Sequence, residues 1–434
     1  MKKLFWIFIA SPVLFSARIW AQETVKDTVF LIPFADTVLL DEVVVKAHKT
    51  IPMNNRWSDL QPVDLVTVAG ANGNLYKALE TLPGTQIQGE SGRLLVRGGS
   101  SDETQTYIDG MHVLNPYTST AENTPARGRY SPFMFSGINL STGGHSQEYG
   151  EALSAGLPFE TKDNSRINKV GISPSTVGIG GGGNHAFRNA SLALNLDYQN
   201  LALYNKVYPG RIDFKKPYQM FSGATQFRYT PSGSSVFKIY VGYDRTDYSN
   251  YTDNNRYLFC LGENNVYLNS TFRTAISGGW EWLSGMAYSL FDRKVDGAVT
   301  EGDHWCEKQA ELHFKTKLSK KFHPTFRMDV GFESFLRWYE TRYSQVSVAD
   351  TKEISPTIEA VFGTVSYYPV ENLKAELSFR TEYASLARKI NFSPRLSLSY
   401  SWCDLVLSAT AGRYTQLPNA KYLAQQPSLL SEAC

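Results

Sequence analysis

The stretch LKAELSFRTEY, Leu373–Tyr383, decides the fold class because its two kinds of residue alternate almost without exception. Leucine, alanine, phenylalanine and tyrosine hold the odd positions, and lysine, glutamate, serine and arginine hold the even ones. Such a period of two predicts a β-strand with one apolar and one charged face. A strand that faces lipid on one side and a polar lumen on the other has this pattern.

The same alternation recurs through residues 164–434, between clusters of Gly, Pro, Asn and Asp. It predicts an antiparallel transmembrane β-barrel with short turns at one end and longer polar loops at the other. We expect extracellular loops at Tyr204–Gln219 and Thr246–Asn264. A soluble β-sandwich is the alternative. Further alternating segments lie at Leu192–Tyr198, Phe237–Tyr243, Leu312–Leu318, Phe326–Glu333 and Leu396–Ala411.

Composition agrees with a barrel. The chain has 434 residues, with 43 Lys and Arg against 41 Asp and Glu, and a net charge of +2 gives no field that implies a nucleic-acid partner. Aromatic residues make up 13% of the chain although the mean hydropathy is −0.29. Aromatic girdles on a sheet that is wet on one side give this mixture. A large secreted β-sandwich gives it too.

Residues 1–21 have the pattern of a signal peptide. Lys2 and Lys3 precede an apolar run from Leu4 to Phe15, and a small residue, Ala21 or Ala17, marks the expected cut. The run is too short to span a bilayer as a helix, and no run of about 18 apolar residues follows it. The product is therefore expected in the periplasm, outside the cell, or in the outer membrane as a barrel.

Residues 22–48 form an N-terminal segment that contains a β-branched strip behind two acidic residues. A strip of this kind near a terminus suits strand addition to the exposed sheet edge of a partner. The alternative is the first strand of the next domain. The strip consists of Asp41, Glu42, Val43, Val44, Val45, Lys46 and Ala47.

Residues 49–163 predict a compact α+β domain. Leucines at helical spacing predict a helix in Asn74–Leu82 that ends at Pro83-Gly84. Short strands are expected at Ile87 and Leu94–Val96, and Asp109-Gly110 marks a hairpin between two further strands.

Several blocks in this region together resemble the plug domain of TonB-dependent receptors. The strip Asp41–Ala47 likewise resembles the family's energy-coupling box, and Arg413–Pro418 with Tyr422 resembles a block of its barrel. Residues Ser131–Phe135 and Glu148–Ser154 are similar to receptors of the Bacteroidetes type. The plug blocks, in the family's order, are Leu79–Gly84, Leu94–Gly98, Tyr107–Gly110, Leu140–Gly144 and Glu148–Gly150.

The resemblance implies a location in the cell outer membrane and active uptake of a small ligand. Its partners would be TonB with the inner-membrane energising complex, and outer-membrane lipid. No extra β-sandwich fits before the plug, so a siderophore or vitamin receptor matches better than the glycan-importing branch. Two alternatives are a barrel-anchored surface binding or adhesion protein without transport, and a secreted glycan-binding β-protein.

Individual positions of the plug blocks carry separate expectations. Arg97 follows a buried strand, so its guanidinium either pairs with a carboxylate and locks the plug to the barrel wall or caps a turn. Asp109 is expected to serve the turn rather than a ligand. Tyr117, Tyr130 and Phe133 near the plug apex either stack on ligand or pack. Tight turns are expected at Gly98, Gly110, Gly143 and Gly144, and the last block is Glu148, Tyr149 and Gly150.

We find no catalytic or metal-ligand pattern in the sequence, and we expect neither an enzyme nor a cofactor. HExxH, GxSxG and phosphate-loop motifs do not occur. The run Gly180–Gly183 is expected in a turn or at a strand edge. The seven histidines are expected on the surface or in loops. Cys260 and Cys306 either pair across neighbouring loops or stay unpaired.

The length suggests an incomplete barrel. Residues 164–434 hold about twelve of the roughly 22 strands that close a plugged outer-membrane barrel. We therefore expect a truncated chain with part of the barrel wall.

Overall fold

A computed structural model of the protein describes most of the chain from residue 57 onward. Its described residues are 57–60, 65, 67–71, 73–119, 126–141, 144–162, 168–209, 213–251, 257–345, 348–402, 405–419 and 421–422. The signal peptide, the strip Asp41–Ala47, Gly143, Cys403 and Cys434 lie outside them. No helix among the described residues is long and apolar enough to cross a membrane.

A small α+β domain comes first. Helix α1 (Leu75–Leu79) is shorter than its leucine pattern predicts. It begins after Asn74, whose side-chain oxygen accepts a hydrogen bond from the Tyr76 N–H at 3.2 Å. The chain then turns at Gly84, whose φ of 82° favours glycine. Hairpin strands β2 (Thr85–Gln88) and β3 (Arg93–Val96) follow.

A five-stranded sheet forms the centre of this domain, in the order β1-β6-β7-β4-β5. Strands β4 and β7 are parallel and the other pairs are antiparallel. The predicted hairpin at Asp109-Gly110 joins β4 to β5. The strands are β1 (Trp57–Leu60), β4 (Thr104–Ile108), β5 (Met111–Val113), β6 (Phe135–Ser141) and β7 (Ala155–Thr161).

The core of the domain lies between this sheet, α1 and the β2–β3 hairpin. Its side chains are fully buried, and each contributes about 1.5–3 kcal/mol by leaving water. They include Leu79, Leu94, Val96, Ile108, Phe135, Ile138, Leu140, Leu157 and Phe159.

A 14-stranded antiparallel sheet forms the second part, and helix α2 (Ala202–Val207) lies in one of its connections. The strands are β8 (Lys169–Ser175), β9 (Gly178–Ala186), β10 (Ala190–Asn200), β11 (Phe214–Ser232), β12 (Ser235–Tyr251), β13 (Leu258–Ile276), β14 (Trp280–Asp296), β15 (His304–His323), β16 (Phe326–Gln345), β17 (Val348–Ile354), β18 (Thr357–Val370), β19 (Leu373–Ala384), β20 (Lys389–Trp402) and β21 (Leu405–Gly412).

The sheet corrects three details of the sequence expectations. It has fourteen strands instead of about twelve. Gly180–Gly183 lie inside β9, where the glycines leave no side-chain alternation to read. Both loops expected to be long are shorter, because β11 begins at Phe214, β12 runs to Tyr251 and β13 begins at Leu258.

The two faces of the sheet have opposite chemistry, as the alternation predicts. In β19 the Leu377 side chain is 60% exposed on the outer face, whereas Arg380 on the inner face is 2% exposed. Outward-facing leucines and aromatics continue along β10, β20 and β21. An apolar exterior around a polar, plugged interior is the design of an outer-membrane barrel wall. Within the described residues, the edge strands β8 and β21 each pair on one side only.

The connections alternate in length along the sheet. Turns of two or three residues, such as 233–234 and 277–279, close one end, and longer connections such as 201–213 and 297–303 close the other. Barrels of this type carry their longer loops outside the cell. We therefore call the long-loop end the outer end.

Candidate ligand cavity and plug–wall interface

A cavity of about 230 Å³ lies between the small domain and the outer half of the sheet. Its volume is below the range of about 300–1,000 Å³ that holds a whole drug-sized ligand, so it fits one group of a larger molecule. The domain contributes Arg93, Asp102, Gln105, His112 and Tyr117 among others. The sheet contributes Phe291, Arg293, Trp305, Glu307, Arg337, Trp338 and Tyr339, and the segment after β21 contributes Gln416, Leu417, Pro418, Asn419 and Lys421.

Aromatic rings give the cavity flat apolar walls. Tyr117 lies 4.4 Å from the Tyr76 ring, and its hydroxyl accepts a hydrogen bond from the Leu94 N–H at 3.3 Å. Burial raises the pKa of Tyr117, so its phenol stays neutral. On the 14-stranded sheet, which we call the wall, the Trp305 indole donates to the Thr341 hydroxyl at 2.8 Å, which fixes the ring.

Two of the arginines at the cavity are each held by two carboxylates. Arg293 donates to Glu263 at 2.8 Å and lies 3.8 Å from Glu307. Arg337 donates to Glu311 at 2.6 Å and to Glu151 of the small domain at 2.9 Å. Each of these two cations therefore has more than one carboxylate within ion-pair distance, from the wall for Arg293 and from the wall and the small domain for Arg337.

Around Asp102 the charge balance is the opposite, because cations there outnumber carboxylates. Asp102 accepts from Lys421 Nζ at 2.5 Å and from the Tyr422 hydroxyl at 3.0 Å, and Arg93 lies 3.8 Å from its carboxylate. Two cations therefore converge on one carboxylate. The three side chains are 21–31% exposed, so they border solvent in the cavity.

Strand β5 of the β4–β5 hairpin is fixed to the wall through His112. The His112 backbone N–H donates to Nδ1 of His313 at 2.9 Å, and the His112 ring lies 2.6 Å from Glu311. The His313 ring lies 2.9 Å from Glu333 and stacks on Phe335 at 4.2 Å between centroids. This contact is almost free of water, since all these groups are nearly fully buried.

The block Glu148-Tyr149-Gly150 packs against a second set of wall charges. Glu148 forms an ion pair with Lys317, and its carbonyl accepts from Lys315 Nζ at 2.6 Å. The Lys315 ammonium lies 5.1 Å from the centre of the Tyr149 ring, a cation–π contact.

Gly150 is required because the Arg380 guanidinium occupies the space of a side chain there. A Cβ at Gly150 would lie 2.2 Å from Nη2 of Arg380. Arg380 is itself held by Glu333 at 2.7 Å, Glu382 at 3.0 Å and the Gln147 carbonyl at 3.3 Å.

A third buried connection lies on the other side of the domain. Arg129 forms an ion pair with Glu263 of the wall, and the Ser119 hydroxyl donates to the same carboxylate. The Arg129 and Glu263 side chains are essentially fully buried. Burying the two charges therefore costs desolvation free energy, which their attraction offsets only while both partners stay in place.

The positions singled out in the sequence fall mostly at turns. Arg97 is exposed at a φ of 51° and makes no ion pair among the described residues. Its own N–H donates to the Gly84 carbonyl at 2.8 Å. Asp109, at φ 49°, accepts from the Thr161 N–H at 3.0 Å and thereby ties the hairpin to β7. Positive φ angles also occur at Gly98, Gly110 and Gly144.

The apical aromatics differ in their surroundings. Tyr117 lines the cavity. Tyr130 is buried against Tyr240 and Tyr267 of the wall, and Phe133 is 52% exposed. Only the first is placed to touch a group in the cavity.

The histidine expectation was wrong for three of the seven. His112, His145 and His313 are buried, because they bridge the domain and the wall or lie between them. Cys260 and Cys306 are both free thiols, since they lie on strands separated by β14.

The sequence does not predict which wall residues contact the small domain. Their signal was present, because Glu333 and Arg380 are charges on the polar face of strands whose other face is apolar. Alternation identifies that face, but it does not say which of its charges meet the small domain.

Residues 65–157 match the family model described as the TonB-dependent Receptor Plug Domain. Among curated proteins, none matches the chain significantly.

Solved structures show the same fold at low sequence identity. A mutant of the ferric enterobactin receptor PfeA from Pseudomonas aeruginosa is 13% identical with a TM-score of 0.63, over 84% of this chain and 62% of that one. The siderophore receptor PirA from Pseudomonas aeruginosa is 13% identical with a TM-score of 0.62, over 84% and 63%. The outer-membrane transporter YddB from Escherichia coli is 12% identical with a TM-score of 0.65, over 83% and 61%.

The chain therefore spans about three fifths of the length of these structures. The plug match and the fold together support the TonB-dependent receptor family and a location in the outer membrane. That family comprises transporters and receptors rather than enzymes. We refer to the small domain as the plug.

Proposed function

We propose that this chain belongs to a TonB-dependent receptor that takes up a small ligand across the outer membrane, with the plug as the removable obstruction. The observation that carries the proposal is the charged interface between plug and wall. Arg129–Glu263, His112–Glu311 and Glu148–Lys317 join the two through buried charged groups, beside an apolar contact of Tyr130 and Phe135 with Tyr240 and Tyr267. Water regains its contacts with these charged groups when plug and wall separate, because their burial costs desolvation free energy.

The ligand would enter at the outer end and place one group in the cavity between plug and wall. Aromatic walls and partly exposed cations suit a siderophore or a vitamin, the ligand type that we propose. On the blocks Ser131–Phe135 and Glu148–Ser154, we also propose the Bacteroidetes type of receptor.

TonB is the proposed partner on the periplasmic side. Asp41–Ala47 would add as a strand to a sheet edge of TonB, through main-chain hydrogen bonds. Force on that segment would then reach the plug. The turn residues Arg97, Gly98, Asp109 and Gly110 would keep the plug turns in shape during this step.

The test is the binding of a purified TonB C-terminal domain to the protein in detergent. Val44→Pro removes one main-chain donor and should abolish binding, because proline cannot complete the added strand. Val44→Thr keeps the donor and the β-branched shape, and it should bind like the parent.

The competing function is a barrel-anchored surface binding protein without transport. It has no use for Asp41–Ala47, so in that case the parent protein and both variants would show no TonB binding. That result would reject the transport proposal.

A further inference from the structure

The segment after β21 folds inward and contacts the plug. We call residues 413–419 with Lys421 and Tyr422 the clasp. Its Gln416 amide donates to the Asp102 carbonyl at 2.6 Å, and its Leu417 N–H donates to Glu151 at 3.2 Å. The Arg413 N–H donates to the Pro394 carbonyl at 3.0 Å, and the Thr415 hydroxyl donates to Glu382 at 2.8 Å, so the clasp is also anchored on the wall.

The clasp also forms one wall of the cavity. Gln416, Leu417 and Lys421 face it from the clasp, and Arg93 and Asp102 face it from the plug. A group that occupies the cavity therefore touches both partners of the contact at once.

The part of the cavity lined by Arg93, Asp102 and Lys421, which we call the corner, differs in charge balance from the rest of the cavity. Arg293 and Arg337 each face two carboxylates, whereas Arg93 and Lys421 share the single carboxylate of Asp102. The corner thus has one more cation than it has anions. An added negative charge is therefore attracted to this part of the cavity, by Arg93 and Lys421.

Replacing Asp102 by another anion as the partner of Arg93 and Lys421 also costs little free energy. Asp102, Lys421 and Arg93 are partly exposed, and ion pairs between exposed groups contribute little because water competes for them. A carboxylate or phosphate that accepts hydrogen bonds from both cations replaces the partner without leaving a buried charge unpaired.

We propose that Arg93 and Lys421 are the ligand-reading residues of the cavity, and that an anionic group of the ligand displaces Asp102 from them and so opens the clasp. This inference rests on the proposed function and adds the ligand class, a molecule with a carboxylate or a phosphate group. Loss of the Lys421–Asp102 bond leaves the hydrogen bonds of Gln416, Leu417 and Tyr422 as the polar ties of the clasp to the plug.

The test measures the affinity of citrate and of inorganic phosphate for the purified protein in detergent, by titration calorimetry at fixed ionic strength. Lys421→Gln and Arg93→Gln should each weaken binding about tenfold or more, the effect of losing one charge-assisted hydrogen bond. Asp102→Asn should strengthen binding several-fold, because it removes the internal competitor. Lys308→Gln, an exposed lysine elsewhere on β15, should change nothing.

A second readout follows the clasp itself by hydrogen exchange. Citrate should speed exchange of the Leu417 amide in the parent protein and not in Lys421→Gln. The proposal is overturned if neither probe binds, if Asp102→Asn fails to strengthen binding, or if Lys421→Gln binds like the parent.

The two proposals fail separately. If the anion test fails while the TonB domain still binds through Asp41–Ala47, only the reading of the cavity is rejected. If the anion pattern holds and TonB does not bind, the corner remains an anion site on a protein that does not transport.

Discussion

The plug rests on a base of buried wall charges, the ion pair Glu333–Arg380 beneath Gln147 and Gly150, and it meets the clasp at the cavity corner through the ion pair Asp102–Lys421; the two pairs differ in burial. Glu333 and Arg380 at the base have side chains that are 0% and 2% exposed, whereas Asp102 and Lys421 at the corner are 21% and 26% exposed. Losing one partner of a buried ion pair strongly destabilises the protein, because the other charge stays buried without a partner. Losing one partner of an exposed pair has little effect, because water solvates the remaining charge. The base therefore sets where the plug rests, and the corner is where a ligand intervenes.

The largest effect should come from breaking the base. Arg380→Leu leaves Glu333 and Glu382 without their common cation, which costs about 3–5 kcal/mol. We expect plug release at lower urea concentration, measured by protease cleavage of the plug while the wall stays intact.

A second substitution is the control for this first prediction. Adding Glu382→Gln to Arg380→Leu removes the charge of a carboxylate that pairs with Arg380, and it should restore part of the resistance. If Arg380→Leu alone leaves protease resistance unchanged, the base does not hold the plug.

Gly150→Ala should have the next largest effect. The new Cβ meets the Arg380 guanidinium at 2.2–2.5 Å, and this group cannot move aside because Glu333, Glu382 and Gln147 hold it. Overpacking of this kind costs about 1–3 kcal/mol. The same urea and protease assay measures the loss.

Gly262→Ala is the matched control, because a Cβ at that strand position meets nothing within 4 Å. It should behave like the parent protein. Equal stability of the two alanine variants would show that the close approach of Arg380 to Gly150 is absent in solution.

A smaller effect should appear as a dependence on pH. Burial alone would raise the pKa of the Glu148 carboxyl, but Lys317 and Lys315 outweigh it and lower that pKa from 4.5 to about 2. The carboxylate thus contributes stability that is fully present above about pH 4.5 and is lost as the pH falls toward 2.

Glu148→Gln should therefore narrow the difference in plug stability between pH 6, which lies above the range in which this stability is lost, and pH 3, which lies within it. The assay is urea-induced plug release at both values. Glu80→Gln, at an exposed position of the plug, should keep the full difference. A Glu148→Gln profile that matches the parent's would contradict the pairing with the two lysines.

The smallest effect should come from an exposed pair on the wall. Lys216 and Asp247 form an ion pair with side chains 46% and 29% exposed. Lys216→Gln should change stability by less than about 1 kcal/mol. A larger loss in thermal unfolding would mean that burial does not separate strong from weak pairs in this protein.

The sequence predicts the wall better than the interface. Alternation at Leu373–Tyr383 identifies which face of β19 is apolar, and turn chemistry at Asp109-Gly110 identifies a hairpin, because both signals are local. The meeting of His112 with Glu311 is not local, since it joins residues that lie far apart in the chain. Even a local element escapes prediction at Gly180–Gly183, because glycines have no side chains whose alternation could identify strand β9.

In the proposed function, the plug rests on buried wall charges and leaves them when TonB pulls. Gln147 lies fully buried in that interface and donates to the Ser393 carbonyl at 2.7 Å. We would introduce Gln147→Cys into a protein whose four native cysteines are replaced by serine, and measure labelling by a membrane-impermeant thiol reagent on living cells. Labelling should occur in energised cells and stop on adding a proton uncoupler or Val44→Pro. Labelling that is equal with and without the uncoupler would contradict the claim.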